Sequence, residues 1–211
     1  MSAKGSKVRP VVISTEQELF ARARTLASQG ERRILGIAGK PGGGKSTVAR
    51  AVVAELADRA RLVPMDGFHL AQPELVRLGR RDRMGAPDTF DASGYASLLT
   101  RLRSDEATVY APEFRREIEE PIAGAIAVPR EIPLVVTEGN YLLLWPDIKP
   151  LLDECWYVDT DEELRVQRLI QRHIQFGKTP EYARAWVMRS DEHNAALVAG
   201  TADRADVLVR L

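Results

Sequence analysis

The 211-residue sequence holds a single cysteine, Cys155. One thiol cannot close an internal disulfide, so a disulfide-stapled scaffold is excluded and a reducing cytoplasm is the expected compartment. Cys155 falls in the apolar stretch ECWYVD, where a small core residue is the expected role. Excess charge is missing as well: Lys plus Arg and Asp plus Glu each number 30, a formal net charge of zero. Such a balance lacks the electrostatic footprint of a general nucleic-acid or membrane-surface binder. Long apolar runs are also absent. The best, IPLVVTEGNYLLLW at 132–145, is short for a bilayer span and carries Glu138. No apolar segment follows the basic start MSAKGSKVRP, so a secretory signal is not expected.

What is present is an ordinary globular mixture, enough for one sizeable core, and one domain over 1–211 is expected. Residues 1–10 read as a flexible tail. Residues 14–29 read as a helix, with Ser14 or Thr15 as its cap and Leu19, Ala23 and Leu26 on one face. An apolar strand at 32–39, a helix at 45–59 and a strand running from 60 to Asp66 follow. Residues 67–92 form a polar, arginine-rich stretch too long for an idle connector. Beyond it come a helix at 92–104, two short strands at 107–114 and 123–130, and apolar strands at 132–139 and 155–160, with a short helix at 145–154 between them. Helical patterns at 161–176 and 181–198 precede a final strand at 205–211. Apolar strands alternating with helices imply an α/β domain, a mainly parallel sheet covered on both faces.

The segment GIAGKPGGGKSTVARAV at 36–52 joins a strand to a helix through a knot of glycines. From Gly39 to Ser46 it fits G-x-x-x-x-G-K-[ST], with Pro41, Gly42, Gly43 and Gly44 between and Thr47 beyond. Glycines let backbone N–H groups wrap phosphate oxygens, and the following helix adds its positive end. Lys45 can neutralise the outer phosphates and the Ser46 hydroxyl can ligate Mg2+. A strand before and a helix after are the context the chemistry requires, so ATP with Mg2+ is the expected ligand.

A phosphate loop does not by itself separate a kinase from a switch. The segment VPMDGFHL at 63–70 offers Asp66 at a strand end, where ligands of open parallel sheets sit and where a carboxylate can take the proton of an acceptor hydroxyl. The alternative is a turn-capping Asp. Glu138 ends a central apolar strand, a costly place unless the carboxylate meets a cation or a loop donor. Arg165, Arg168 and Arg172 recur on one face of the 161–176 helix, either aimed at a transferred phosphoryl group or solvated beside Asp161 and Glu162.

Over residues from about 34 to 211 the chain resembles the phosphoribulokinase, uridine kinase and pantothenate kinase superfamily of P-loop small-molecule kinases. MDGFH is similar to that group's strand-end motif, which makes Asp66 the implied base. APDTFDASGYASLL at 86–99 and VYAPEFRREIEEP at 109–121 resemble its acceptor-site segments, the second ending in paired glutamates. VVTEGNYLL implies Glu138 beside Mg2+, and DTDEELRVQRLIQRH implies a lid helix, with Arg168 and Arg172 its preferred cations. The resemblance implies a three-layer P-loop NTPase fold with a helical lid and the helix after it over 161–198, and acceptor-site insertions at 67–92 and 107–130. It implies transfer of a γ-phosphoryl group to a small hydroxylated metabolite, with a homodimer as the assembly left open.

Phe68, His69, Tyr110 and Arg115 are the candidate acceptor contacts, although packing is the other reading for Phe68. Uridine kinases carry Asp after the acceptor-site Tyr. Here Ala111 follows Tyr110 and arginines occupy 115 and 116, which weakens a nucleoside acceptor. The loop arginines Arg77, Arg80, Arg81 and Arg83 suit an anionic acceptor, or are solvated loop charges. The wording is most similar to bacterial chains described broadly as nucleoside/nucleotide kinase-like or fructose-transport kinases. His173 and His193 are expected on helix surfaces; Asp191 and Asn194 share a helix face, reaching a base or bonding on the surface. A nucleotide-gated regulatory protein and a nucleoside monophosphate kinase are the competing readings.

Overall fold

The computed structural model describes residues 10–210, so nearly all of the expected N-terminal tail lies outside the described residues. Its centre is a parallel sheet built in chain order from β1 (Val11–Ile13), β2 (Arg33–Gly39), β3 (Ala60–Leu62), β6 (Leu134–Gly139), β7 (Glu154–Val158) and β8 (Val207–Val209). The spatial order is β1-β8-β7-β2-β6-β3. A separate antiparallel hairpin pairs β4 (Thr108–Arg115) with β5 (Glu120–Pro129).

The central strands are buried on both faces, as a parallel sheet in an α/β protein requires. Alternate residues serve opposite cores. Leu35, Ile37, Leu134, Val136, Trp156 and Val158 face one side. There they meet Leu19, Ala23 and Leu26 of α1 (Glu16–Leu26) and Val48, Val52 and Leu56 of α2 (Lys45–Leu56). Ile34, Ala38, Val135, Cys155 and Tyr157 face the other side. There Tyr95, Leu98 and Leu99 of α4 (Ala92–Arg101) and Val198 of α7 (Glu192–Ala199) cover them. Burial pushes the Cys155 thiol up to about 12, so it is an inert core residue.

Both proposed capping residues of α1 take part. The Thr15 hydroxyl accepts from the Glu18 N–H at 3.2 Å, and the Ser14 N–H donates to the Glu18 carboxylate at 3.0 Å. Beyond β7 come α5 (Glu162–Gln175), α6 (Pro180–Trp186) and a wide π turn over Val187–Asp191 that leads directly into α7.

Two local expectations are corrected, and the 67–92 stretch gains a helix. The strand expected to run to Asp66 ends at Leu62, because Pro64 offers no N–H and the chain leaves the sheet into a 3-10 turn, Met65–Phe68. The arginine-rich stretch holds a short helix, α3 (Gln72–Arg77), whose first N–H donates to both Glu120 oxygens at 3.1 and 3.2 Å. The helix expected near 145–154 shrinks to the 3-10 turn Lys149–Leu151. β1, only three residues long, is held at the sheet edge by parallel pairing with β8.

Candidate active site

β2 has β6 on one side and β7 on the other, so the chain order reverses about it. In open α/β sheets the crevice beyond the carboxyl ends of such strands is where ligands bind. The glycine loop leaves β2 there, Glu138 ends β6, and Thr160 follows β7 and donates to the Gly43 carbonyl at 2.7 Å.

The loop opens α2 with Gly44 as N-cap, so no side chain caps the helix, and its first turn carries no acid. That N-terminus is left for an external anion. Gly42 has φ +75°, and a Cβ there would stand 2.8 Å from the Arg165 carbonyl and 2.6 Å from Leu169. Only glycine lets α5 lie this close to the loop. Arg165 is fully buried and acts as the fastener: it donates to the Pro41 carbonyl at 3.1 Å and to Glu162 and Glu192. Its partnership drives the Glu162 carboxyl down to about 2. Arg165 is therefore a structural tie, whereas Arg168 is exposed and Arg172 half-buried, both lining the loop's cleft.

Two clefts meet at this point. One, of about 570 Å³, runs along the loop past Gly43, Gly44, Thr47 and Arg168. The other, of about 350 Å³, is walled by Asp66, His69, Phe90 and Phe114 on one side and by residues of α5 to α7 on the other. Gly42, Lys45, Ser46, Arg116 and Arg172 line both.

The junction is charged, and two of its charged groups are buried. Lys45 is buried, its ammonium donating to the Lys40 carbonyl at 3.0 Å; burial drives it down to about 8, against the pull of Glu138 and Asp66. Glu138 is buried, and desolvation together with Asp66 raises its carboxyl, against Lys45 and the Ser46 hydroxyl that donates to it at 2.9 Å. Two hard oxygen ligands in a desolvated, carboxylate-rich corner fit Mg2+, which takes few protein ligands when phosphates supply the rest. Among the described residues no cluster of three or more His, Cys, Asp or Glu forms a closed metal cage.

Asp66 sits in the 3-10 turn, its carboxylate accepting from Arg116 at 3.1 Å. The turn is fixed from beneath. The Thr137 hydroxyl donates to the Val63 carbonyl and bonds the Tyr95 hydroxyl, both at 2.6 Å. Gly67 packs directly on the Pro112 backbone, where a Cβ would collide, so the β4–β5 hairpin closes over the turn.

The structure redistributes the expected acceptor contacts. His69 lines the cleft, its ring between Phe90 and Phe114 at centroid distances of 4.0 and 4.5 Å, and burial lowers its pKa. Phe68 instead packs on Tyr95 at 5.2 Å in the core, as its packing reading had it. Tyr110 and Arg115 lie away from the cleft: Tyr110 is 59% exposed, and Arg115 pairs with Glu113 at 3.0 Å. The pairing of β4 with β5 shifts register between Ala111 and Glu113, and beyond that shift Phe114 and Arg116 line the cleft in their place. Of the loop arginines, Arg77 pairs with Glu74 and Arg80 and Arg83 with Asp88; Arg81 lines the cleft. His173, read as a surface residue, is half-buried in the cleft wall and bonds Asp191 at 2.8 Å. Asp191 and Asn194 line the same wall, while His193 is exposed as expected.

A sequence-family model described as Phosphoribulokinase / Uridine kinase family matches residues 34–211. A candidate uridine kinase of Schizosaccharomyces pombe is 31% identical, with 94% of this chain and 91% of that one covered. A pantothenate kinase of Rhodococcus opacus is 31% identical over 82% of this chain, but only 60% of its own length is matched. The crystal structure of a candidate fructose transport system kinase from Silicibacter sp. TM1040 superposes with TM-score 0.81 at 32% identity, covering 90% of this chain and 98% of that one.

Proposed function

The chain belongs to the Phosphoribulokinase / Uridine kinase family, a family of phosphotransferases acting on hydroxyl groups, and from that membership we propose that it transfers the γ-phosphoryl group of ATP to a hydroxyl of a small metabolite. The observation carrying this reading is the meeting of two clefts at Lys45, Ser46, Arg116 and Arg172, with Asp66 and Glu138 on the acceptor side. The loop cleft takes the triphosphate and the second takes the acceptor.

Backbone donors from Gly42 to Ser46 hold the phosphates, and Lys45 balances charge on the outer ones. Ser46 and Glu138 are the residues that would hold Mg2+, which when bound neutralises and orients the outer phosphates. Asp66 orients the acceptor hydroxyl and takes its proton. Arg168 and Arg172, brought in by α5, stabilise charge on the group in flight and close the junction to water. Positioning and electrostatics supply the rate, since the transfer needs no covalent partner from the protein.

ADP release over a panel of uridine, cytidine, pantothenate, fructose and ribulose 5-phosphate tests the reading. Stimulation well above the water background by one acceptor supports it. A uniform background across the panel, together with nucleotide-dependent capture of a protein partner, supports a regulatory ATP-binding protein instead.

A further inference from the structure

The far wall of the acceptor cleft carries a cation that the phosphotransfer scheme does not use. Lys178, in the link between α5 and α6, is half-buried and lines the cleft. Its ammonium stands 3.1 Å from Nδ1 of His173 and 4.1 Å from the centroid of Trp186. Among the described residues it makes no ion pair with a carboxylate, although Asp191 and Glu119 act on it at longer range.

Its surroundings are built to aim it. Nε2 of His173 lies 2.8 Å from Asp191, so that nitrogen carries the proton and Nδ1 is left as an acceptor for the lysine. Asp191 is therefore occupied by the imidazole. Trp186 and Asp191 are one wide π turn apart, and both line the cleft; such turns inside helices recur at functional sites. The indole face holds the ammonium without neutralising it. A half-desolvated ammonium with spare N–H groups, held by a ring and an imidazole, lacks one thing: an anion.

We propose that the acceptor carries a carboxylate or phosphate, distinct from the hydroxyl phosphorylated at Asp66, and that Lys178 binds this group while His173, Asp191 and Trp186 position it. Arg81, which also lines the cleft, is the second cation available to the same group. Phe176 and Tyr182 line this end of the cleft and add apolar surface beside the ammonium. The assignment rests on the phosphotransfer reading for the meaning of the word acceptor; binding itself does not.

The test compares matched pairs: pantothenate with pantothenol, and fructose 6-phosphate with fructose. The carboxylate and the phosphate arms separate the two sources of negative charge. In steady-state ADP release, an anionic member is expected to show at least ~10-fold higher kcat/KM than its neutral partner. Lys178→Met should raise the anion's KM at least ~10-fold with kcat within about twofold and leave the neutral partner unchanged, and Lys178→Arg should restore most of the loss. Calorimetric titration of the same anions, with a non-hydrolysable ATP analogue and Mg2+ present, reads binding apart from turnover. Lys178-dependent binding without turnover would support the anion site and count against the phosphotransfer reading. Neutral members turned over as efficiently as their anionic partners, or anion binding equal in wild type and Lys178→Met, would overturn the anion site and leave phosphotransfer standing. Absence of anion binding in the wild type would overturn it too.

Discussion

Arg116 donates to the Asp66 carboxylate at 3.1 Å, joining the tip of a hairpin to a turn fifty residues earlier in the chain. Both side chains keep solvent access, 43% and 29%, so the pair is of the weak, exchangeable kind. An acceptor hydroxyl can replace the guanidinium without a large penalty, and the freed Arg116 still lines the phosphate cleft. If Asp66 is the base, Asp66→Asn keeps the shape and loses the proton acceptor. The expected outcome is a fall of at least ~100-fold in kcat with ATP affinity unchanged. Equilibrium dialysis with ATP and initial-rate kinetics check both halves; full activity in this variant removes Asp66 from the mechanism.

Lys45 gives a prediction on stability. Its ammonium is buried without a phosphate and has a pKa of about 8 against an ordinary 10.5. Between those values the unfolded chain holds the proton that the folded one has lost, so stability of the nucleotide-free protein rises with pH through that window. Below it, the folded protein carries the full cost of a desolvated charge. Lys45→Met should therefore stabilise the free protein at pH 7 by about 1–3 kcal/mol and flatten its rise above pH 8, while nucleotide affinity falls. Urea denaturation at several pH values measures this, and a destabilised free variant contradicts it.

Much of this site is legible in the sequence because it is local. Strand, glycine loop and helix follow one another, and the spacing from Gly39 to Ser46 is itself the geometry. The alternating strands around them are equally readable, since each is apolar on both faces. Arg116 was not legible in the same way. Counting by twos from the buried Val109 and Ala111 points at Arg115, whereas the register of β4 on β5 shifts between Ala111 and Glu113, where Gly67 packs against Pro112, a tertiary arrangement that sequence alternation does not carry. His173 is hidden for a related reason: α5 alone is amphipathic, and only the folding of α6 and α7 against it turns a polar face into a cleft wall.

Glu138 faces Ser46 at 2.9 Å and is held above the usual carboxylate range by burial and by Asp66. A raised carboxyl takes up a proton on folding, so the free protein loses stability as pH climbs from the ordinary carboxylate value through the raised one. Glu138→Gln should remove that loss and at the same time raise the Mg2+ concentration giving half-maximal activity at least ~10-fold. Thermal melts against pH and Mg2+ titrations of initial rate read the two effects. An unchanged Mg2+ requirement would make Glu138 a structural partner of the loop.

Arg165 and Arg168 lie one turn apart on α5 and should fail in opposite ways. Arg165 is buried against the Pro41 carbonyl, Glu162 and Glu192, so Arg165→Ala opens a cavity, leaves that carbonyl unpartnered and removes the cation shared by two acids, and should cost about 2–4 kcal/mol in unfolding free energy. Arg168 is exposed and lines the phosphate cleft, so Arg168→Ala should leave stability within about 0.5 kcal/mol. Its kcat should nevertheless fall ~10- to 1000-fold, the range for losing one donor to developing charge. Denaturant melts and initial rates on both variants give four numbers. Stable, inactive Arg168→Ala beside unstable Arg165→Ala would separate the lid's fastener from its working cation; the reverse pattern would mean that α5 meets the nucleotide through Arg165, with the loop rearranged on binding.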